Sequence, residues 1–537
     1  MRKFKQILAI LLTAAMAGAI LAGCGDTGAA AEAPAAAEAV EEAAEAVQEA
    51  AEEVAETAEA AEAEAPAFDE ITDIEVVLSD LRGVADNAQP IIDAMNAITE
   101  ETIGVHANIK FVATSDYRTQ VPLMLASGEQ VDILTIFVSD PVGFTSLMAN
   151  GQLIDITDYL EEEGQELLEL IDDYKEGMSS GGRIYGIPCF RNYASANYFI
   201  MRKDVLEDLG ILDMAEDVTT FTQMEDIFAE VAANTQLSPT GSCLIEVGTG
   251  VIYKGEEIAD QINFDTLGDQ MNLVYTDMET GNISLLLENP DYRTMMDRMV
   301  KWRANGWFDK DREISSDHVD TLMKAGTVFS SIQTSEMGVE TAKQEATGYE
   351  VVVKELSKNM LGSSYVNKFG LGVSVTAQEP EAAVRWMNAL YTDPRLENLL
   401  IWGTEGVDYV VVDGEADFPE GITAENVGYH STDFMYGNYF NCLPWKGQGA
   451  DFRQRAYDYL RSSEVSPYMG FSADMADIQN LATAVNSVYQ KYYQMIWYGN
   501  YDDAVWQKYV DELKVAGIDE YLGVYQSQLA EWQAANN

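Results

Sequence analysis

The run "VDILTIF", Val131 to Phe137, follows "DYRTQVPLMLASGE" (Asp116–Glu129), and how it is read decides the fold. It is short and largely apolar, the pattern of a strand buried on both faces of a parallel sheet. The stretch before it has helical spacing and closes on Ser127-Gly128, so the pair reads as a helix feeding a strand. Working outward, "HANIKFVAT" (His106–Thr114) and "DIEVVLSDL" (Asp73–Leu81) read as two further strands. "AQPIIDAMNAITEETIG" (Ala88–Gly104) between them is a helix stopped by its glycine. Strand-helix alternation at this spacing predicts an α/β unit with parallel strands.

Ligands usually bind where loops leave the C-terminal ends of such strands. Here those loops hold Asp80-Leu81-Arg82, Thr114-Ser115-Asp116-Tyr117 and Val138-Ser139-Asp140. Asp80, Arg82, Tyr117 and Asp140 are therefore candidate contacts on position alone, although each equally suits a helix cap or loop.

Further along, "GRIYGIPCFRNYASANYFIMRKDVLEDLG" (Gly182–Gly210) carries an extended run into a helix. Helical segments are expected around 221–233, 291–305 and 317–325. "YEVVVKEL" (Tyr349–Leu356) and "FGLGVSVTA" (Phe369–Ala377) read as strands. A helix pair breaks at Asp393-Pro394, and the tail from Ile478 is almost all helix, interrupted near Gly499 and Gly517. No internal repeat is present.

The first 70 residues differ in kind. Arg2, Lys3 and Lys5 precede an apolar run, Ile7 to Ile20, too short and Ala/Gly-rich for a membrane span. Basic start, apolar core and small residues before a cut describe a secretory signal at 1–23. Leu21-Ala22-Gly23-Cys24 resembles the lipobox of bacterial lipoproteins, whose cysteine is acylated, as by palmitate. Each buried methylene contributes about 0.8 kcal/mol, and stable anchoring takes more than one chain. Residues 24–68 then read as a tether: nearly all Ala and Glu, with acid pairs four apart that repel without a lysine to offset them. Its roughly 40 residues span about 60 Å as helix and about 120 Å extended.

The chain carries 32 basic and 90 acidic residues, a formal charge of −58. Such a surface repels nucleic acid and anionic headgroups. It also disfavours a strongly anionic ligand, unless a local basic pocket overrides the global field. Cys189, Cys243 and Cys442 allow at most one bridge, so this is no disulfide scaffold and the thiols read as buried and free. "DKDREISSDHVD" (Asp309–Asp320) approaches a calcium loop but lacks its glycine and final glutamate, with Arg312 opposing a cation. "VGTGVIY" lacks the third glycine of a dinucleotide loop, and no phosphate loop appears. No metal or cofactor is expected.

Several of these stretches resemble one family, the extracellular solute-binding proteins of bacterial ABC importers, carbohydrate type. "YRTQVPLMLASGEQVDIL" (Tyr117–Leu134) resembles its helix, Ser-Gly turn and Asp-led strand. "LMANGQLIDITDYL" (Leu147–Leu160) resembles the cover of the first lobe, and "GRIYGIPCF" (Gly182–Phe190) the element before the first crossing. "FIMRKDVLEDLG" and "LMKAGTVFSSIQT" (Leu322–Thr334) resemble second-lobe pieces. "AAVRWMNALYTDPRLENLLIWGTEGVDY" and "VDELKVAGIDEYLGVYQSQLAEW" are similar to a lipoprotein subgroup with a long C-terminal region.

The resemblance implies a two-lobed periplasmic-binding-protein-like α/β fold with crossing hinge strands and a helical C-terminal region. Lobe 1 would comprise 69–190 with about 365–425, and lobe 2 about 191–364 with about 426–537. It implies capture of a carbohydrate, an oligosaccharide by preference, and delivery to ABC permease subunits without chemistry. The chain would be a monomer, lipid-anchored on the extracellular face of the cell membrane. Arg191, Asn192 and Tyr193 then lie near the hinge, Gln333 ends a second-lobe strand, and Tyr439, Asn441 and Trp445 follow the third crossing. Trp445 is the expected stacking platform, whereas Trp402 reads as core. Two rivals remain: a lipid-anchored glycoside-active enzyme, and a binding lipoprotein for peptides or small organic acids.

Overall fold

The computed structural model describes residues 68 and 70–536, apart from 83–86, 138–140, 245–249, 310, 315–316, 425, 472 and 476–477. The signal, Cys24, almost all of the tether and Asp140 thus lie outside the described residues.

The opening alternation becomes a five-stranded sheet ordered Val105–Ala113, Thr72–Asp80, Ile133–Ile136, Gly370–Val373, Ile187–Pro188. The first three strands are parallel, with Thr72 opposite Val105, Asp80 opposite Ala113 and Val76 opposite Ile133. Strand Gly370–Val373 runs antiparallel against Ile133–Ile136. All four residues of Ile133–Ile136 are buried, as an apolar strand sandwiched between helices requires. The helix Thr114–Ser127 ends at Gly128, whose φ of 75° supplies the left-handed turn into that strand.

A second sheet is ordered Val351–Glu355, Ala196–Arg202, Val328–Ser335, Ser238–Thr240, with all seven residues of Ala196–Arg202 buried. Its helix Phe221–Asn234 starts with a reciprocal cap in which Thr220 and Gln223 satisfy each other's backbone amides. The antiparallel meander Val251–Tyr253, Gln261–Asp265, Val274–Asp277 and Ile283–Leu285 lay outside the expectations from sequence. Its strands have three to five residues each, too few to show a period of two.

Among the described residues the chain passes between the two large sheets at 189–195 and 356–369, and a third crossing after Asn441 leads on to the tail helices. Phe190 and Tyr439 exchange backbone bonds with the 437–439 and 190 turns, through Phe190 N–H to Gly437 and Tyr439 N–H to Phe190. Ser195 and Met360 bond reciprocally, and Met360–Leu361 pairs in parallel with Glu464–Val465. Residues 429–441 also bond to the helices before them: the Tyr429 hydroxyl donates to the Leu400 carbonyl at 2.7 Å.

The tail forms helices Gln479–Trp497, Asp503–Ala516 and Ile518–Asn536, separated where expected. Gly499 has φ 65°, and a Cβ there would meet the Met299 carbonyl at 2.2 Å, so only glycine fits. Tyr489, Tyr492, Trp506, Tyr509, Tyr521 and Tyr525 bury their rings in the same core as Phe228 and Trp302. The aromatic tail completes this buried cluster. No helix among the described residues is long and apolar enough to cross a membrane.

Candidate functional site

At the C-terminal end of strand Thr72–Asp80, Asp80 is 3% exposed and accepts the Arg82 backbone amide at 2.8 Å. Burial raises its carboxyl above the usual range against that bond and the Arg82 charge. Arg82 itself is exposed. Tyr117, in the first turn of its helix, points inward: it is fully buried and donates to the Thr135 carbonyl at 2.8 Å. The next strand delivers Phe137, and its ring starts an edge-to-face ladder, 5.4 Å to Phe369 and then 5.5 Å to Phe434. Arg118 lies over Phe137 at 5.4 Å.

Arg191, on the first crossing, reaches into this ladder from below, 5.9 Å from the Phe369 ring and 5.7 Å from Tyr193. Its Nη1 donates to Glu336 Oε1 at 2.7 Å, and Glu336 is the first residue beyond the second-sheet strand Val328–Ser335. The guanidinium side chain is 9% exposed and the carboxylate 48%, so one ion pair joins the crossing to the second sheet at a solvent-facing edge. Asn192 is taken up locally, donating to the Ala194 carbonyl at 3.1 Å, and Tyr193 donates to Cys189 at 2.7 Å.

Lys368 sits on the turn just before Phe369, with Nζ 3.8 Å from the Tyr365 ring centre. Burial, and then the Arg191 charge, pull its ammonium down to about 8, with Glu336 acting the other way. Among the described residues no carboxylate forms an ion pair with it.

Past the third crossing, the Arg453 guanidinium covers the Tyr439 ring at 3.8 Å and donates to Asp433 at 2.7 Å. Its Nε and Nη1 have no partner among the described residues. Trp445 is stacked on Trp402 at 5.3 Å and 14°, with Phe418 edge-on at 4.8 Å. His430 joins the stack 4.9 Å from Trp402. Burial, then the Arg82 charge, press His430 down to about 4, so it is neutral at pH 7. Arg82, His430 and Trp445 thus share one neighbourhood.

Two candidates lie elsewhere. Gln333 is 4% exposed within its strand, where Lys343 donates to its carbonyl at 2.7 Å and it donates to Asp320 at 2.8 Å. Asn441 donates to the Tyr391 carbonyl at 3.0 Å and lines an open hollow of about 610 Å³ with Glu166, Glu169 and Asp393. Phe137, Glu336, Lys368, Phe369 and Phe434 escaped the sequence reading. The usable signal was position: Phe137 and Glu336 are each the first residue past a sheet strand.

Cys189, Cys243 and Cys442 are free and buried. Among the described residues, no group of three or more His, Cys, Asp or Glu side chains could hold a metal ion. The arrangement is a polar-aromatic lining at the junction of two sheets, suited to gripping a molecule with flat apolar faces and hydroxyl edges.

Comparison with known proteins agrees with this architecture. Residues 467–534 match a domain of unknown function (DUF3502). A carbohydrate ABC transporter substrate-binding protein of Streptococcus pneumoniae serotype 4 is 21% identical over 455 residues, covering 83% of this chain and 88% of the relative. The crystal structure of an N-glycan transport solute-binding protein from S. pneumoniae superposes with TM-score 0.71 at 20% identity, over 87% of this chain and 100% of that one. The S. pneumoniae substrate-binding protein FusA in complex with kestose gives 0.54 at 16% identity, over 86% and 100%. These likenesses establish the two-lobed periplasmic-binding-protein-like fold with its helical C-terminal region. Residues 83–394, more than half of the chain, match the bacterial extracellular solute-binding proteins, and the protein belongs to that family.

Proposed function

We propose that the protein captures an oligosaccharide between its two lobes and delivers it unaltered to the permease subunits of an ABC importer. The observation that carries this is the Phe137–Phe369–Phe434 ladder beside the Arg191–Glu336 pair, where the crossing segments meet. Aromatic rings suit the C–H faces of sugars, and planar charged groups suit their hydroxyls. Relatives of similar fold that bind saccharides support the cargo class.

The sequence divides the chain into lobe 1 at 69–190 with about 365–425 and lobe 2 at about 191–364 with about 426–537. The bonds of Tyr429 to Leu400 and of Asn438 to Tyr391 favour moving 429–441 from the second lobe to the first. Of the residues read from sequence, this reading keeps Arg82, Arg191, Tyr439 and Trp445 as ligand contacts and adds Glu336, Lys368, Phe369 and Phe434. Ligand favours closure only by the extra affinity it has for the closed form. Cys24 carries the lipid and 24–68 holds the monomeric body off the bilayer, on the extracellular face. Labelled palmitate should enter the wild-type chain and not Cys24→Ala.

A thermal-shift panel of oligosaccharides, peptides and small organic acids tests the cargo. A ligand at a hundred times its Kd stabilises by about 2.7 kcal/mol. Oligosaccharides should raise the melting temperature and emerge intact. Peptide-only stabilisation, or shortened saccharides, refutes the reading.

A further inference from the structure

The cations around the aromatic ladder are not all paired. Arg191 is neutralised by Glu336 at 2.7 Å, and Arg453 by Asp433 at 2.7 Å. Lys368 stands beside the first pair and forms no ion pair of its own among the described residues, its Nζ held 3.8 Å over Tyr365. The buried Asp265 beside Tyr365 is taken up by the Ser363 N–H and hydroxyl. Arg118, exposed at the other end of the ladder, adds a further cation over Phe137. Neither Lys368 nor Arg118 forms an ion pair among the described residues, in a chain with 90 acidic residues against 32 basic ones. A half-buried ammonium without an ion-pair partner is also costly to keep, since the Tyr365 ring replaces only part of the hydration it gives up. Its backbone is fixed as the last residue of the turn Val366–Lys368, between the buried Val366 and the strand starting at Gly370.

We propose that the saccharide this cleft takes is acidic, bearing a carboxylate of the uronic or sialic type that pairs with Lys368 while an adjoining ring lies on Phe369. This rests on the carbohydrate reading above and narrows it. The anion would meet a local positive field inside a molecule whose outer surface repels anions, so capture depends on the pocket rather than on long-range steering. The depressed ammonium supports the same view, because a carboxylate arriving at that spot restores its proton affinity.

The test uses the full chain and matched pairs: sialyllactose against lactose, and a glucuronate-ended disaccharide against its methyl ester, by titration calorimetry. One charge-assisted hydrogen bond predicts that the acid of at least one pair binds about tenfold tighter than its neutral twin. That ratio should shrink with added salt and collapse toward one in Lys368→Gln. If neither acid outbinds its twin in the wild-type protein, the inference is overturned, whether or not the variant folds. A ratio that survives Lys368→Gln overturns the role of that residue. Neutral sugars binding as well as acids would sink this inference alone, whereas no saccharide binding at all would sink the carbohydrate reading.

Discussion

Two regions of the protein treat buried charge in opposite ways. In the second lobe, Glu225 is 5% exposed and fully employed: Arg298 Nη1 donates to it at 3.0 Å, Trp302 Nε1 at 2.8 Å, and Lys301 closes the set. At the crossing, Lys368 lacks a carboxylate, and Glu397 Oε2, Thr432 Oγ1 and two nitrogens of Arg453 lack partners among the described residues. A satisfied buried charge specifies one packing, whereas an unpartnered one can still meet a ligand. Neutral atoms such as Ser242 Oγ, Gln261 Oε1 and Thr276 Oγ1 also lack partners among the described residues of the second lobe, so the contrast is one between the charged groups.

Breaking the satisfied region should cost most. Glu225→Ala leaves the buried Trp302 indole N–H without its acceptor, strips Lys301 of its carboxylate and leaves Arg298 with Glu256 alone. Removing one partner of such a buried set costs about 3–5 kcal/mol. Denaturant titration should show that loss. A drop under about 1 kcal/mol would mean water replaces the carboxylate, and the contrast would fail.

How far the sequence could reveal each region follows from the same physics. The first sheet was legible because Ile133–Ile136 is buried on both faces and its helix ends on Gly128; composition and period report such burial directly. The short meander from Val251 to Leu285 offered no period to read. Arg191 was legible as a neighbour of the Tyr-Gly-Ile-Pro element. Its partners were not: Phe137, Glu336, Phe369 and Phe434 come together from four distant points, and no spacing rule links them. Gln333 reads from sequence as a strand end, but the strand runs on to Ser335 and draws it into a buried network, leaving the edge to Glu336.

Glu397 sharpens the comparison through pH. It is fully buried beside Cys442, and burial pushes its carboxyl up to about 8, offset by the Asn438 backbone and the Cys442 thiol. Below an unfolded value near 4.5 both states are protonated, so no penalty exists. As pH rises, the unfolded chain releases its proton first, and stability falls until the folded group ionises near 8. Glu397→Gln lacks that loss. It should match the wild type at pH 4.5 and exceed it by roughly 2–4 kcal/mol at pH 8.5. Parallel stability profiles for the two proteins across this window would show the carboxyl to be better solvated than its burial implies.

The smallest effect is the most telling, because it separates stability from use. Lys368 has a folded value of about 8 against 10.5 unfolded, so its charged form is disfavoured by folding. At pH 7 both states carry the proton and the full penalty is present. Between pH 8 and 10.5 the folded state sheds its proton first, and the wild type recovers. Lys368→Met removes the penalty but also the contact with Tyr365, leaving a net gain of about 1–2 kcal/mol at pH 7. That gain should shrink above pH 8. A more stable protein that no longer prefers acidic saccharides would identify Lys368 as a group kept at a cost to folding for the sake of its ligand. A less stable variant would instead make the ammonium part of the scaffold, alongside Glu225.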